Sequence, residues 1–140
     1  MVKRKIGLDV GDVRIGVAVS DLMGICANPR ETYVRKKDDP AADAEYFAEY
    51  AKREDADAFV LGLPKSMDGT EGPRAEITRQ FGDLLKETSG LEVVYVDERL
   101  TTVSAERMLI GADVRRDKRK KVIDKVAATI ILQSYLDGMR

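Results

Sequence analysis

Between Val10 and Arg14 the chain has only Gly11, Asp12 and Val13 in which to reverse direction. The apolar run Ile6-Gly7-Leu8-Asp9-Val10 before that turn and the run Arg14-Ile15-Gly16-Val17-Ala18-Val19-Ser20 after it both read as strands. A second turn at 21–24 precedes a weaker extended stretch at 31–35, after Pro29. Parallel neighbours need a crossover of a dozen residues or more, and these connections are far too short for one. The first third is therefore predicted to be antiparallel hairpins.

From Asp39 the pattern changes period. Ala44, Phe47, Tyr50 and Ala51 recur at helical spacing behind an Asp39-Pro40 start. Phe59-Val60-Leu61-Gly62-Leu63 reads as a buried strand stopped by Pro64. A polar loop over 65–72 leads to Pro73, suited to a first helical turn, with Ile77, Phe81, Leu84 and Leu85 as the apolar face. A fifth strand is predicted over 91–96. Thr101 or Thr102 is placed to cap a helix running through Leu109-Ile110 to Gly111. Ile123, Val126, Ala127, Ile130, Ile131 and Ser134 mark a last helix. Helical crossovers require parallel pairing, so the expectation is an α/β fold: a mixed five-stranded sheet, first strand central, flanked by helices. A length of 140 residues suits a single domain over 1–140.

The chain contains no histidine and no tryptophan. Imidazole-dependent triads and nitrogen-ligated zinc are thereby excluded, leaving carboxylates, lysine, tyrosine, hydroxyls and one thiol for chemistry. That thiol, Cys26, lies in the apolar stretch Gly24-Ile25-Cys26-Ala27 and is expected in the core. A lone cysteine fits a reducing compartment. No apolar run approaches the ~18 residues of a membrane span, and Met1-Val2-Lys3-Arg4-Lys5 is not followed by a signal-peptide core. The expected location is the cytoplasm, with no membrane partner.

Three acids stand out. Asp9 interrupts the first strand's apolar run, Asp97-Glu98 ends the fifth strand, and Asp124 is expected in the first turn of the last helix. A carboxylate inside Gly7-Leu8-Asp9-Val10-Gly11 must be desolvated, hydrogen-bonded or metal-bound. If the first, fourth and fifth strands run parallel, their carboxyl ends share one edge, where open sheets hold ligands. Two carboxylates ~4 Å apart repel by about 4 kcal/mol at an effective dielectric of 20. Asp9, Glu98 and Asp124 together would hold their charge only around cations, or else take up protons. An all-oxygen donor set selects Mg²⁺ or Mn²⁺, and two such ions can clamp the oxygens of a phosphodiester undergoing hydrolysis. Strand neighbours face opposite ways, and the longer Glu98 is preferred to Asp97. A purely structural reading stands beside this one: Asp9 caps a turn, Glu98 pairs with Arg99, and Asp124 caps its helix.

The run from Gly7 to Ala18, Gly62-Leu63-Pro64-Lys65 with Asp68-Gly69-Thr70, the segment Asp97-Glu98-Arg99-Leu100-Thr101-Thr102 and the run from Lys121 to Ala128 together carry a resemblance. The chain resembles the YqgF/RuvX family of Holliday-junction-resolvase-like and pre-16S rRNA nucleases, with these blocks in the family's order from residue 6 to 136. The resemblance implies an RNase H-like fold and a metal-dependent nuclease acting in the cytoplasm on the 5′ end of precursor 16S rRNA. It assigns the acidic site to Asp9, Glu98 and Asp124. Related resolvases carry a fourth acid near the third, whereas here Lys121, Ala127 and Ala128 surround Asp124. The expectation is a second metal held poorly until substrate phosphate completes its shell, and slow or substrate-restricted activity.

Net charge is −1, yet Arg115-Arg116-Asp117-Lys118-Arg119-Lys120-Lys121 holds six cations in seven residues just before Asp124. Clustered charge of this kind suits phosphate backbone contacts, and a solvated flexible loop is the plainer alternative. Arg14, Lys65, Arg74 and Arg99 are further candidates for nucleic-acid contact. Precursor rRNA is favoured over DNA junctions as partner, with a Holliday-junction DNA endonuclease or a non-catalytic RNA-binding assembly factor as alternatives. Junction resolvases act as symmetric dimers and an RNA trimmer can act alone, so both monomer and homodimer stay open. Gly7-Leu8-Asp9-Val10-Gly11 also resembles the first phosphate loop of actin-like and sugar-kinase ATPases, which need two lobes, more than 140 residues supply.

Overall fold

The short turns at the start of the chain act as their length requires. In the computed structural model, which describes residues 3–65, 68–97 and 116–138, strand β1 (Arg4–Val10) pairs antiparallel with β2 (Arg14–Ser20), and β2 pairs antiparallel with β3 (Ala27–Val34). Helix α1 (Pro40–Arg53) then carries the chain to β4 (Ala56–Leu63), which pairs parallel with β1. Helix α2 (Pro73–Ser89) returns it to β5 (Glu92–Asp97), parallel with β4. The sheet order is β3-β2-β1-β4-β5, so β1 is central, and helix α3 (Arg116–Gly138) follows. The predicted helix between Thr101 and Gly111 lies outside the described residues. Among the described residues no helix is long and apolar enough to cross a membrane.

The helix starts follow local chemistry. Asp39 accepts a hydrogen bond from the Ala42 amide at 3.1 Å, and Pro40 occupies the first turn, where its missing N–H leaves no bond unmade. Pro73 plays the same part in α2, which ends at Gly90 with φ +73° in the left-handed region. The sheet then separates two apolar layers. On one side Ile6, Leu8, Val17, Phe59 and Leu61 pack with Phe47 of α1 and with Phe81 and Leu85 of α2. On the other, Ala18 and Val60 pack with Ala128, Ile131, Leu132 and Leu136 of α3.

Several expectations are corrected by this packing. Ile77 is 47% exposed, because α2 turns Ala75, Thr78, Phe81, Gly82 and Leu85 inward; Gly82 is needed where a Cβ would stand 2.1 Å from the Tyr95 hydroxyl. In α3 the buried stripe is Ala127, Ala128, Ile131, Leu132 and Leu136, while Ser134 is exposed. Cys26 is exposed rather than in the core. The Asp21 carboxylate accepts from the amides of Ile25 and Cys26, and the Gln133 side chain bonds Ala27 N–H and the Ile25 carbonyl. With its backbone satisfied there, this apolar stretch stays at the surface. Asp124 lies about two turns inside α3 rather than in its first turn, since the helix begins at Arg116.

Tyr33 of β3 and Tyr46 of α1 stack with centroids 4.3 Å apart. Burial pushes both phenols up to about 12, aided by the bond from Tyr33 to Asp43 and from Tyr46 to Glu31. The folded chain thus holds these protons more tightly than an unfolded one, whose tyrosines titrate near ~10. Their contribution to stability is complete below about pH 10 and is lost as pH rises toward 12. The denaturant midpoint should therefore hold between about pH 8 and 10 and then fall, less steeply in a Tyr33→Phe/Tyr46→Phe double variant.

Candidate active site

The carboxyl ends of β1, β4 and β5 meet along one edge of the sheet. Leu8 is level with Leu61, and Leu63 with Asp97, so Val10, Leu63 and Asp97 end their strands side by side. Asp9 lies one residue before the end of the central strand and is half-buried. Its face follows from Gly7, two residues earlier: a Cβ there would meet the Leu132 Cβ at 2.7 Å and the Ala128 carbonyl at 2.9 Å. Side chains two apart in a strand share a face, so Asp9 points to the α3 side.

Asp9 pairs across the ladder with Gly16. A Cβ on Gly16 would stand 1.9 Å from the Asp124 carbonyl oxygen and 3.0 Å from its Cα. The backbone of α3 thus rests on Gly16 and brings Asp124 beside Asp9. Adding the usual cross-strand spacing puts the two Cα atoms within roughly 10 Å of each other. The Asp124 carboxylate is held from below: Arg14 Nε donates to its Oδ2 at 2.8 Å, with both side chains mostly buried. Arg14 is held in turn, since the Gly11 amide donates to its carbonyl at 2.9 Å across the β1–β2 turn.

The remaining expected residues distribute around this edge. Glu98, Arg99 and Arg115 lie outside the described residues. Asp97 shares a strand face with Val93 and Tyr95, which pack toward α1 and α2, and not with Val94 and Val96, which pack toward α3. Lys65 stands just beyond the end of β4, close enough to help Arg79, the main partner, hold the Glu71 carboxyl below the usual range. Arg74, at the start of α2, pairs with Asp12 of the β1–β2 turn at 2.6 Å. Arg116, Lys118, Arg119, Lys120 and Lys121 belong to α3 rather than to a loop. Because α3 crosses Gly16 at Asp124 and Gly7 at Leu132, its N-terminal turns continue past the strand ends, reaching about 12 Å beyond Asp124 at Arg116.

Among the described residues no group of three acidic or thiol side chains gathers as a metal site. What the described residues bring together is a pair of carboxylates, Asp9 and Asp124, with one guanidinium between α3 and the sheet. Their donors are all oxygen, and the chain has no imidazole to add. Such a donor set fits a hard divalent cation. The residue that makes the pairing possible is Gly16, and its sequence signal is a glycine inside a strand, which often marks close backbone approach.

The architecture is that of a known class. Over 98% of this chain and 96% of the other, the fold matches Thermus thermophilus RuvC in complex with a Holliday junction substrate, with TM-score 0.60 and 12% identity. The fowlpox virus Holliday junction resolvase matches with TM-score 0.57 and 15% identity over 96% of this chain and 99% of its own. At such identities the likeness is one of fold, and that fold is RNase H-like. Sequence carries it further. Residues 3–138 match the RuvX family, described as Holliday junction resolvase, and the chain belongs to that family. A Streptococcus thermophilus protein named "Putative pre-16S rRNA nuclease" is 52% identical over 137 residues, covering 97% of this chain and 99% of its own. A Heliobacterium modesticaldum protein of the same name is 52% identical over 135 residues, covering 96% and 89%.

The close approach at Gly16 is directly testable. Gly16→Ala places a methyl against the Asp124 carbonyl and should lower stability by at least about 2 kcal/mol, since α3 must lift or the strand must bend. Thermal unfolding measures the loss.

Proposed function

We propose that this chain is a divalent-metal-dependent nuclease that hydrolyses phosphodiester bonds at the 5′ end of precursor 16S rRNA in the cytoplasm. The observation that carries this reading is the seating of Asp124 on Gly16, directly across the ladder from Asp9, at the carboxyl edge of the sheet. The substrate comes from the names of relatives about half identical to this chain over nearly its whole length.

In this reading Asp9, Asp124 and Glu98, the residue after β5, hold Mg²⁺ or Mn²⁺, with two ions present when substrate is bound. A metal held by these residues would supply positive charge at the scissile phosphate and lower the pKa of water, so that no histidine base is required. The protein's part is positional. Asp9 is fixed by the central strand, and Asp124 by its helix and by the Arg14 bond. Arg14 also keeps two neighbouring anions from repelling each other unopposed. The cationic turns from Arg116 to Lys121 extend beyond the site along α3 and are suited to the substrate backbone, with Arg115, Lys65, Arg74 and Arg99 as further contacts. Arg74 would exchange its exposed bond to Asp12 for phosphate at little cost, since exposed pairs are worth about 0–1 kcal/mol.

The family description keeps a second substrate in view, the four-way DNA junction. Matched precursor-rRNA and four-way DNA substrates, incubated with Mn²⁺ or Mg²⁺, decide between them. Faster cutting of the RNA is expected. Asp9→Asn, Glu98→Gln and Asp124→Asn should each reduce cleavage by more than about 100-fold while leaving the fold intact. Wild-type cutting by all three variants would overturn the assignment.

A further inference from the structure

Asp43, in the first turn of α1, is fully buried, yet it lies in neither the sheet edge nor the basic run. Its Oδ1 accepts from the Tyr33 hydroxyl at 2.8 Å and the Lys36 amide at 3.0 Å, and its Oδ2 accepts from Arg35 Nε at 2.9 Å. Arg35 is held on further sides. Its guanidinium lies 5.1 Å from the Phe81 ring centre of α2, and its own amide donates to the Val13 carbonyl at 2.9 Å. A second nitrogen of the fork, Nη1, donates to the Gly11 carbonyl at 2.8 Å.

Gly11 stands two residues after Asp9, and its amide donates to the Arg14 carbonyl at 2.9 Å. Arg14 then donates to Asp124 at 2.8 Å. A continuous set of bonds therefore runs from the buried Asp43 through Arg35, Gly11 and Arg14 to Asp124, passing the strand end that carries Asp9. We propose that Arg35, oriented by Asp43, is a positioning residue for the Asp9–Asp124 pair: it locks the β1–β2 turn so that the two carboxylates keep the spacing a shared cation requires. The planar fork sends two separate, fixed nitrogens to Asp43 and Gly11; a lysine would have to reach both from one mobile ammonium. The inference rests on the metal-site reading above.

The test uses the full-length chain with Arg35→Lys and, in case that variant does not fold, the near-isosteric Asp43→Asn, whose single amide oxygen cannot accept from Arg35 on one side and from Tyr33 and the Lys36 amide on the other. Two readouts need no cleavage assay: amide hydrogen exchange of the metal-free protein and Mn²⁺ titration by calorimetry. Exchange at Gly11 should accelerate at least about tenfold while mid-strand Leu8 and Leu61 keep their rates, and Mn²⁺ affinity should fall about tenfold, the usual range for an outer-shell partner. Acceleration spread evenly over all three amides, with Mn²⁺ affinity unchanged, would mean Arg35 serves stability alone and would overturn the proposal. So would wild-type values throughout. If the wild-type chain binds no Mn²⁺, or Asp9→Asn binds it as tightly, the metal-site reading itself fails, and the positioning role with it.

Discussion

Helix α3 lies on the sheet at backbone distance, and most of the functional geometry depends on that contact. Gly7 and Gly16 leave no side chain between strand and helix, so the carbonyls of Ala128 and Asp124 rest where Cβ atoms would otherwise be. Ala18 beside Gly7 and the buried Ala127 and Ala128 on the helix continue the same small-residue contact. Dispersion and apolar burial reward so close a fit only when both surfaces are smooth. The consequence is chemical as well as mechanical: a helix seated this low carries Asp124 to the level of Asp9, where a helix one side chain higher would hold it away.

The opposite face of the sheet is built on a different principle. There a buried carboxylate, Asp43, is fully satisfied by Tyr33, Arg35 and a backbone amide. Burying such a pair gives little net stability over an apolar core, but breaking it leaves a stranded charge, so its geometry is strongly enforced. That rigidity is transmitted to the turn at Gly11, on the same end of β1 as Asp9. The two faces thus grip the central strand's carboxyl end from opposite sides, one through close packing and the other through directed hydrogen bonds.

Much of this fold was legible in order and spacing. The turns at Gly11 and Asp21, the Pro40 and Pro73 helix starts and the strand stop at Pro64 all fall where the sequence predicts. So does the central position of β1, because hairpins on one side and crossovers on the other leave it no alternative. The misreadings share a cause. Local apolarity and periodicity point Cys26 and Ile77 inward, but which stripe of a helix or loop is covered depends on what packs against it. The charged run before Asp124 carries no apolar period, so the pattern alone starts α3 near Asp124; it begins at Arg116 instead.

For the site, the chain's residues settled the available chemistry: no imidazole, a lone thiol, and carboxylates at a strand interior, a strand end and a helix. Those are properties of residue type and local pattern, which need no partner to be read. What only the tertiary structure decided is which distant groups meet. The bonds of Arg14 to Asp124 and of Arg35 to Gly11 join positions 110 and 24 residues apart. No local preference encodes them, because their partners become neighbours only after the sheet has closed its order and α3 has settled on its glycines.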